Sequence, residues 1–226
     1  MVSIIKIAFY DAIDRLSMTF AVKGGRVMNV NALEPLALFT VVATVTPGGA
    51  TALATASGAQ FGFRRSVPLM AGIAFGLASL AAVAAAGLGS LLLAAPALQV
   101  TMKMIGSTYL LWLAWKIGRG GRPDQKTGKT SPIKFLTGVG LLWLNPKGWA
   151  MALGAAGAFA GLADGPLQLA VMLGVSFGLA ASVSLAFWCS AGLLFSRILR
   201  TDVQWRVLNA SLGVLLAASI LPIWWT

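Results

Sequence analysis

The sequence predicts an all-α polytopic membrane protein with six transmembrane helices. They form a 3+3 inverted repeat in which helices 1 and 4 are broken at Pro-Gly and Asn-Pro motifs. Three observations predict this fold class. The chain is 58% hydrophobic and 10% charged, with a mean hydropathy of +0.84, which excludes an ordinary soluble domain. Its apolar residues gather in stretches of membrane-spanning length, and helix-breaking clusters interrupt two of these stretches at matching places.

Six apolar stretches account for the six helices. Four are uninterrupted, and each meets the roughly 20 residues that a helix needs to cross a bilayer. These are Val67 to Ala95, Ala97 to Ile117, Leu167 to Phe195 and Val207 to Trp225. The other two, Leu33 to Ala59 and Phe135 to Ala163, contain the breaks Thr46-Pro47-Gly48-Gly49 and Asn145-Pro146-Lys147-Gly148. Non-helical backbone at this depth survives only where protein or a watery cavity satisfies its polar groups.

A hydrophilic linker at residues 119–132 divides these stretches into three and three. Repeat 1 then covers about residues 28–118 and repeat 2 about residues 133–226, and together they form one six-helix transporter-like domain. An odd number of spans in each half inserts the second half in the opposite orientation, which is the geometry of an inverted repeat. The glycine pairs Gly72-x3-Gly76 and Gly174-x3-Gly178 follow the two broken spans and favour close helix packing.

The net charge of +11 indicates topology, because the basic residues lie between the spans and not on one polar face. One side receives Arg64, Arg65, Lys116, Arg119, Arg122, Lys126, Lys129, Lys134, Arg197, Arg200 and Arg206. The loops on the other side contain no basic residue. The positive-inside rule therefore predicts cytoplasmic basic loops, with both ends of the six-helix core in the periplasm.

Residues 1–27 do not fit this pattern, because Lys6, Arg15, Lys23 and Arg26 would add positive charge to the outer side. Two interpretations of this N-terminal extension stay open. The segment is an amphipathic helix lying in the membrane interface, or it is a mis-assigned start and translation normally begins at Met28. A signal peptide fits poorly because acidic residues interrupt its apolar run.

The cysteine and histidine content excludes several kinds of chemistry. Cys189 is the only cysteine and there is no histidine, so an internal disulfide, histidine metal sites and histidine proton relays are all excluded. A thiol-electron carrier would need paired cysteines beside the prolines. We therefore expect no cofactor, no metal and no enzymatic activity.

The two breaks predict the candidate binding site. Thr46 and Asn145 each precede a proline, in the pattern of a helix N-cap followed by proline at the first helical position. Each break can thus begin a second half-helix, whose N–H groups and dipole attract an anion such as a carboxylate. Gly48, Gly49 and Gly148 would leave that backbone uncovered. The alternative is a kink that only shapes the helix bundle.

Lys147 makes the second break the stronger candidate. A cation near the bilayer centre costs about 2.5–3.5 kcal/mol on insertion scales, so it needs a partner, either a substrate carboxylate or backbone carbonyls. Lys103 either snorkels to the surface or lines the pathway, and the hydroxyl of Tyr109 needs a hydrogen-bond partner. The predicted substrate-binding residues are Thr46, Pro47, Gly48, Gly49, Asn145, Pro146, Lys147, Gly148, Lys103 and Tyr109.

Several motifs occur in a specific order from about Met28 to Trp225. They are Thr46-Pro47-Gly48, Gly58, Gly62, Arg64-Arg65, Gly72-Ile-Ala-Phe-Gly76, Lys103-x2-Gly106-x2-Tyr109, Phe135-Leu-x-Gly138 and Leu144-Asn145-Pro146-Lys147. In this order and spacing the chain resembles the lysine-exporter (LysE/RhtB-type) amino-acid translocator family. The resemblance implies a bacterial inner-membrane exporter that moves amino acids or related small metabolites out of the cytoplasm in exchange for protons.

The chain departs from that family's pattern at two positions. The family commonly reads Pro-Gly-Pro-Asn at its first break, where this chain has Pro47-Gly48-Gly49-Ala50. The family also commonly has an acidic residue just after the glycine at position 76, where this chain has Leu77. A substrate ammonium would then rest on half-helix carbonyls, and no proton-coupling residue is evident.

The leading hypothesis is a secondary transporter that exports amino acids or related small carboxylate-bearing metabolites by alternating access around the two breaks. A non-transporting membrane scaffold and a degenerate exporter are the alternatives. The expected partners are a small-molecule substrate and the lipid bilayer, with no nucleic acid, and a homodimer is left open.

Overall fold

A computed structural model describes residues 30–88, 96–121, 134–218 and 220–221. The N-terminal extension at residues 1–27 and most of the hydrophilic linker lie outside these ranges. Within them the chain is helical and contains no β-strand.

Seven α-helices follow one another along the described chain. They are α1 (Val30–Val45), α2 (Gly49–Val83), α3 (Pro96–Gly118), α4 (Phe135–Trp143), α5 (Pro146–Ala158), α6 (Pro166–Ile198) and α7 (Asp202–Ala218). A π-helical turn at Ala84–Leu88 extends α2, and a 3-10 turn at Ala160–Leu162 follows α5. Short helices α1 and α4 are each followed closely by another helix, which is where the sequence places its two breaks.

Helix α2 differs from the expected arrangement of a span, a basic loop and another span. Arg64 and Arg65 lie within α2, and the chain changes direction at Gly62, which has a φ of +76° and a ψ of 172°. A side chain at this φ would crowd the backbone, so glycine is the residue that tolerates it at least cost. A bend at one glycine therefore replaces the expected loop.

Helices α2 and α6 form the centre of the bundle, where their backbones touch. A Cβ added to Gly58 would collide with the carbonyl oxygen of Cys189, and one added to Gly192 would collide with that of Thr55. The glycines named in the sequence also pack against helices: Gly72 and Gly76 face α4, while Gly174 and Gly178 face Ala78 on α2. Small residues thus permit the close helix approach that is common in membrane bundles.

Two described helical segments are long and apolar enough to cross a membrane, Gly49–Gly87 and Pro166–Ile198. Large apolar side chains are exposed on several helices, including Leu136 at 78% and Leu167 at 79% exposure. Apolar surface of this kind suits a lipid environment.

Candidate functional site

The first break lies between the end of α1 and the start of α2. Thr46 does not act as the expected N-cap, because its hydroxyl donates a 2.6 Å hydrogen bond back to the carbonyl of Val42 and so closes α1. Gly48 is the N-cap of α2 instead. The hydroxyl of Thr51 accepts from the Gly48 N–H at 2.8 Å and donates to the Gly48 carbonyl at 2.9 Å. Thr51 is therefore the side chain that fixes the start of α2.

The carbonyl groups at the end of α1 bond to side chains from distant parts of the chain. The Ser184 hydroxyl donates to the Thr44 carbonyl at 2.7 Å, and the Trp188 Nε1–H donates to the Val45 carbonyl at 3.2 Å. Both donors lie on α6. A helix end leaves its last carbonyls without intrahelical partners, so these bonds satisfy groups that would otherwise be costly to bury.

The second break has the cap that its sequence pattern predicts. Asn145 is the N-cap of α5, Pro146 follows at the first helical position, and the Asn145 Oδ1 accepts from the Lys147 N–H at 3.0 Å. The Asn145 carbonyl accepts from the Gly148 N–H at 2.9 Å and the Trp149 N–H at 3.3 Å. The first-turn N–H groups of α5 are thus already bonded within the break.

Two tryptophans flank the second break, and they support its backbone. The Trp149 Nε1–H donates to the Trp143 carbonyl at 2.9 Å, and the two rings meet edge to face at 5.7 Å. The Trp143 Nε1–H in turn donates to the Ser79 hydroxyl on α2 at 3.2 Å. Neither tryptophan is among the residues that line the pocket described next.

The two breaks meet at one pocket. The Lys147 Nζ lies 3.5 Å from the Thr46 carbonyl oxygen, and a Cβ added to Gly48 would lie 3.2 Å from the same Nζ. The pocket holds about 460 Å³ of space between atoms, part of it continuous with the outside. It is lined by Ala43, Thr44, Thr46, Gly48, Gly49, Ala50, Thr51, Ile73, Leu77, Leu142, Asn145, Lys147, Gly148, Met151, Ala181 and Leu185.

Six of the predicted site residues line this pocket: Thr46, Gly48, Gly49, Asn145, Lys147 and Gly148. Pro47 belongs to the first break but is not among the lining residues. Lys103 and Tyr109 lie on α3, both half-buried and outside the lining set, and the Tyr109 ring lies 5.8 Å from that of Trp112. The structure therefore brings together the two breaks but not the two predicted residues of α3.

Sequence reasoning missed the apolar wall of the pocket and the threonine at its polar end. Leu77, Leu142 and Leu185 come from three helices, and no local motif connects them. The role of Thr51 was predictable, because a threonine three residues after an N-cap glycine can bond to the N–H of that glycine. Ala50 and Leu77, where the chain departs from the family pattern, both line the pocket.

Among the described residues that line the pocket, Lys147 is the one with a formal charge and none is acidic. In the part of the chain that the structure describes, the acidic residues are Glu34, Asp164 and Asp202, all exposed and all outside the lining set. The pocket is thus a mainly apolar cavity with a cation and backbone donors at one end.

An all-helical chain of this hydropathy, with a pocket built from two helix breaks, has the architecture of a membrane transport protein. The chain belongs to the LysE type translocator family, whose sequence pattern matches residues 41–218. The family consists of multi-pass inner-membrane transport proteins, so the chain is a transporter and not an enzyme.

Two similar proteins have names that state a transport activity. The cysteine/O-acetylserine efflux protein of Salmonella paratyphi A is 29% identical over 178 residues, covering 79% of this chain and 90% of that protein. The protein of the same name from Escherichia coli O1:K1 is 30% identical over 179 residues, with the same coverage. No solved structure matches the chain.

Proposed function

We propose that the protein exports amino acids or related small carboxylate-bearing metabolites from the bacterial cytoplasm by alternating access. The observation that carries this proposal is the pocket that both breaks line, with Lys147 reaching from the second break to the first. Lys147 would bind the substrate carboxylate, and the start of α2 would add its N–H groups and dipole. Thr46, Gly48, Gly49, Asn145 and Gly148 would shape the backbone around it.

The proposed architecture is a six-helix bundle built as a 3+3 inverted repeat. Helix α1 with the first segment of α2 would form one broken span, and α4 with α5 would form its counterpart. The long helices that follow each of them, the second segment of α2 and α6, would then correspond. Rocking one repeat against the other would expose the pocket to each side in turn.

The proposed topology places the basic loops in the cytoplasm and both ends of the six-helix core in the periplasm. Exchange for protons is the energy source that the family resemblance implies. Lys103 and Tyr109 would serve the pathway along α3, outside the pocket itself. A homodimer remains compatible with this arrangement.

The names of the two similar proteins suggest cysteine and O-acetylserine as the first compounds to test. Cells that overproduce the protein would be loaded with dipeptides containing cysteine, serine or alanine, and the release of each free amino acid and of O-acetylserine would be followed. We expect faster release than from cells carrying an empty vector. If release of every compound is unchanged while the protein is present in the membrane, and small carboxylates without an ammonium group are not released faster either, the scaffold or degenerate-exporter alternative replaces this proposal.

A further inference from the structure

The polar groups that line the pocket include a cation and main-chain N–H groups at the start of a helix. Lys147 contributes an ammonium group, and the backbone N–H groups of Gly49, Ala50 and Thr51 belong to the first turn of α2, where an intrahelical carbonyl is not available. Among the described residues, no backbone group accepts a hydrogen bond from the N–H groups of Gly49 and Ala50. One end of the pocket therefore offers a cation together with free donors.

Four main-chain acceptors near the pocket already accept a hydrogen bond, whereas the Ala43 carbonyl accepts none among the described residues because Pro47, four positions later, has no N–H. The last two carbonyls of α1, of Thr44 and Val45, accept from Ser184 and Trp188, and the carbonyl of Thr46, which follows the helix, accepts from Lys147. At the second break, the Trp143 carbonyl accepts from the Trp149 ring N–H. These bonds occupy several of the half-helix carbonyls on which the sequence predicts that a substrate ammonium would rest.

Charge balance distinguishes two kinds of ligand. A zwitterionic amino acid has no net charge, so its binding would leave the Lys147 charge uncompensated and would add a buried ammonium with no lining carboxylate to pair with. A carboxylate without an ammonium group would make the ligand and Lys147 together neutral. Buried charges are tolerated in membrane proteins chiefly when they are paired.

We propose that the pocket prefers small monoanionic carboxylates that carry no free ammonium, such as 2-hydroxy acids, 2-oxo acids and N-acylated amino acids, to zwitterionic amino acids with the same side chain. The inference rests on the proposed function, because it takes the same pocket as the transport site. The ligand carboxylate meets Lys147 and the start of α2, and its apolar part meets Ile73, Leu142 and Met151. An uncharged hydroxyl, oxo or acylamido group then occupies the place of the ammonium.

The test compares ligands that share the side chain of alanine. Purified full-length protein in liposomes would be given L-alanine, L-lactate, pyruvate or N-acetyl-L-alanine near neutral pH, and counterflow and ligand-induced thermal stabilisation would be measured. We expect at least one of the anions to reach half-saturation at a concentration about tenfold lower than L-alanine, a difference equivalent to about 1.4 kcal/mol. Preferential transport of alanine would overturn this inference and leave the proposed function standing. Failure to bind or transport all four, with the protein folded, would overturn both.

Two variants make the charge argument testable at the pocket itself. Leu77→Glu places a carboxylate in the lining, and Ala50→Asp places one beside the start of α2. In whichever of them folds, we expect the ratio of anion to alanine affinity to fall by about tenfold, since the ammonium gains a partner and the anion meets a like charge. Lys116→Gln, on the exposed end of α3, is the matched charge control and should leave the ratio unchanged. A ratio that does not move in the folded pocket variants would overturn the inference.

Discussion

The ammonium of Lys147 lies 3.5 Å from the carbonyl oxygen of Thr46, a residue 101 positions earlier in the chain. This contact joins the start of α5 to the end of α1. The lysine satisfies a helix-end carbonyl and at the same time presents its charge to the pocket. The sequence predicts either a backbone carbonyl or a substrate carboxylate as the partner of Lys147. The structure has the backbone carbonyl, and the proposed function adds the carboxylate.

Replacing Lys147 by alanine should abolish or strongly reduce efflux while the protein still inserts in the membrane. The variant loses the one cation among the described lining residues, and removing a charge at this depth does not oppose insertion. Efflux and membrane abundance would be measured together. Lys147→Arg, which keeps the charge, should retain part of the activity, whereas Lys116→Gln should behave as the unmodified protein. Unimpaired efflux by Lys147→Ala would make the lysine purely structural.

Ser184→Ala should lower the free energy of unfolding by about 1–3 kcal/mol, because it leaves the buried Thr44 carbonyl without its donor from α6. Ser182→Ala is the matched control on the same helix. Its hydroxyl is exposed and donates only to the Gly178 carbonyl one turn earlier, so we expect a change within about 0.5 kcal/mol. Thermal unfolding in detergent measures both. Equal effects of the two substitutions would contradict the stabilising role of the hydrogen bond from Ser184 on α6 to the first break.

Gly192→Ala should destabilise the protein by about 1–3 kcal/mol or prevent its folding, because the added methyl collides with the Thr55 carbonyl oxygen. Gly154→Ala is the control, since a Cβ at that helical position meets no atom within 4 Å. The control should be neutral or slightly stabilising, as alanine is the better helix former. The yield of monodisperse protein and its unfolding temperature are the readouts. Tolerance of Gly192→Ala would show that α2 and α6 are less closely packed than described.

Gly62→Ala tests backbone strain without a steric clash. No atom lies within 4 Å of an added Cβ, yet a φ of +76° with a ψ of 172° is unfavourable for alanine by roughly 1–3 kcal/mol. We expect an unfolding temperature lower than that of Gly140→Ala, a helical glycine whose added Cβ also meets no neighbour. If both variants are equally stable, the bend in α2 does not require a glycine.

Cysteine labelling tests the proposed topology. In a Cys189→Ser background, a membrane-impermeant thiol reagent added to intact cells should label Gly161→Cys but not Gly121→Cys. Both glycines have open space around an added side chain, so access depends on sidedness and not on burial. Labelling of Gly121→Cys alone would reverse the orientation of the whole bundle.

Local sequence chemistry predicted part of the fold and of the site. The Asn145-Pro146 start of α5 was predictable because an N-cap side chain and a proline at the first position act within one turn. The family membership was predictable for a similar reason, because its motifs are short and keep their order. Lys147 stood out because a lysine is rare at the depth where the sequence places it.

The rest depends on contacts between distant residues. Thr46 fits the N-cap pattern as well as Asn145 does, yet it bonds backwards to Val42, and only the three-dimensional turn decides between these two options. Ser184 reaches Thr44 across 140 positions, with nothing in its own neighbourhood to mark it. The sequence also favours the second break as the main binding element. There, Asn145 accepts hydrogen bonds from the first N–H groups of α5, and the N–H groups without a backbone acceptor lie at the start of α2.

The backbone contact between α2 and α6, through Gly58 and Gly192, also bears on how a solute could travel. Where two helices touch through their main chains, no side chain can rotate aside to open a gap, because none stands between them. For a molecule to pass at that level, the two helices would have to separate as rigid bodies by the width of the molecule. The glycines that allow α2 and α6 to pack closely therefore also block passage between them, unless a whole helix moves.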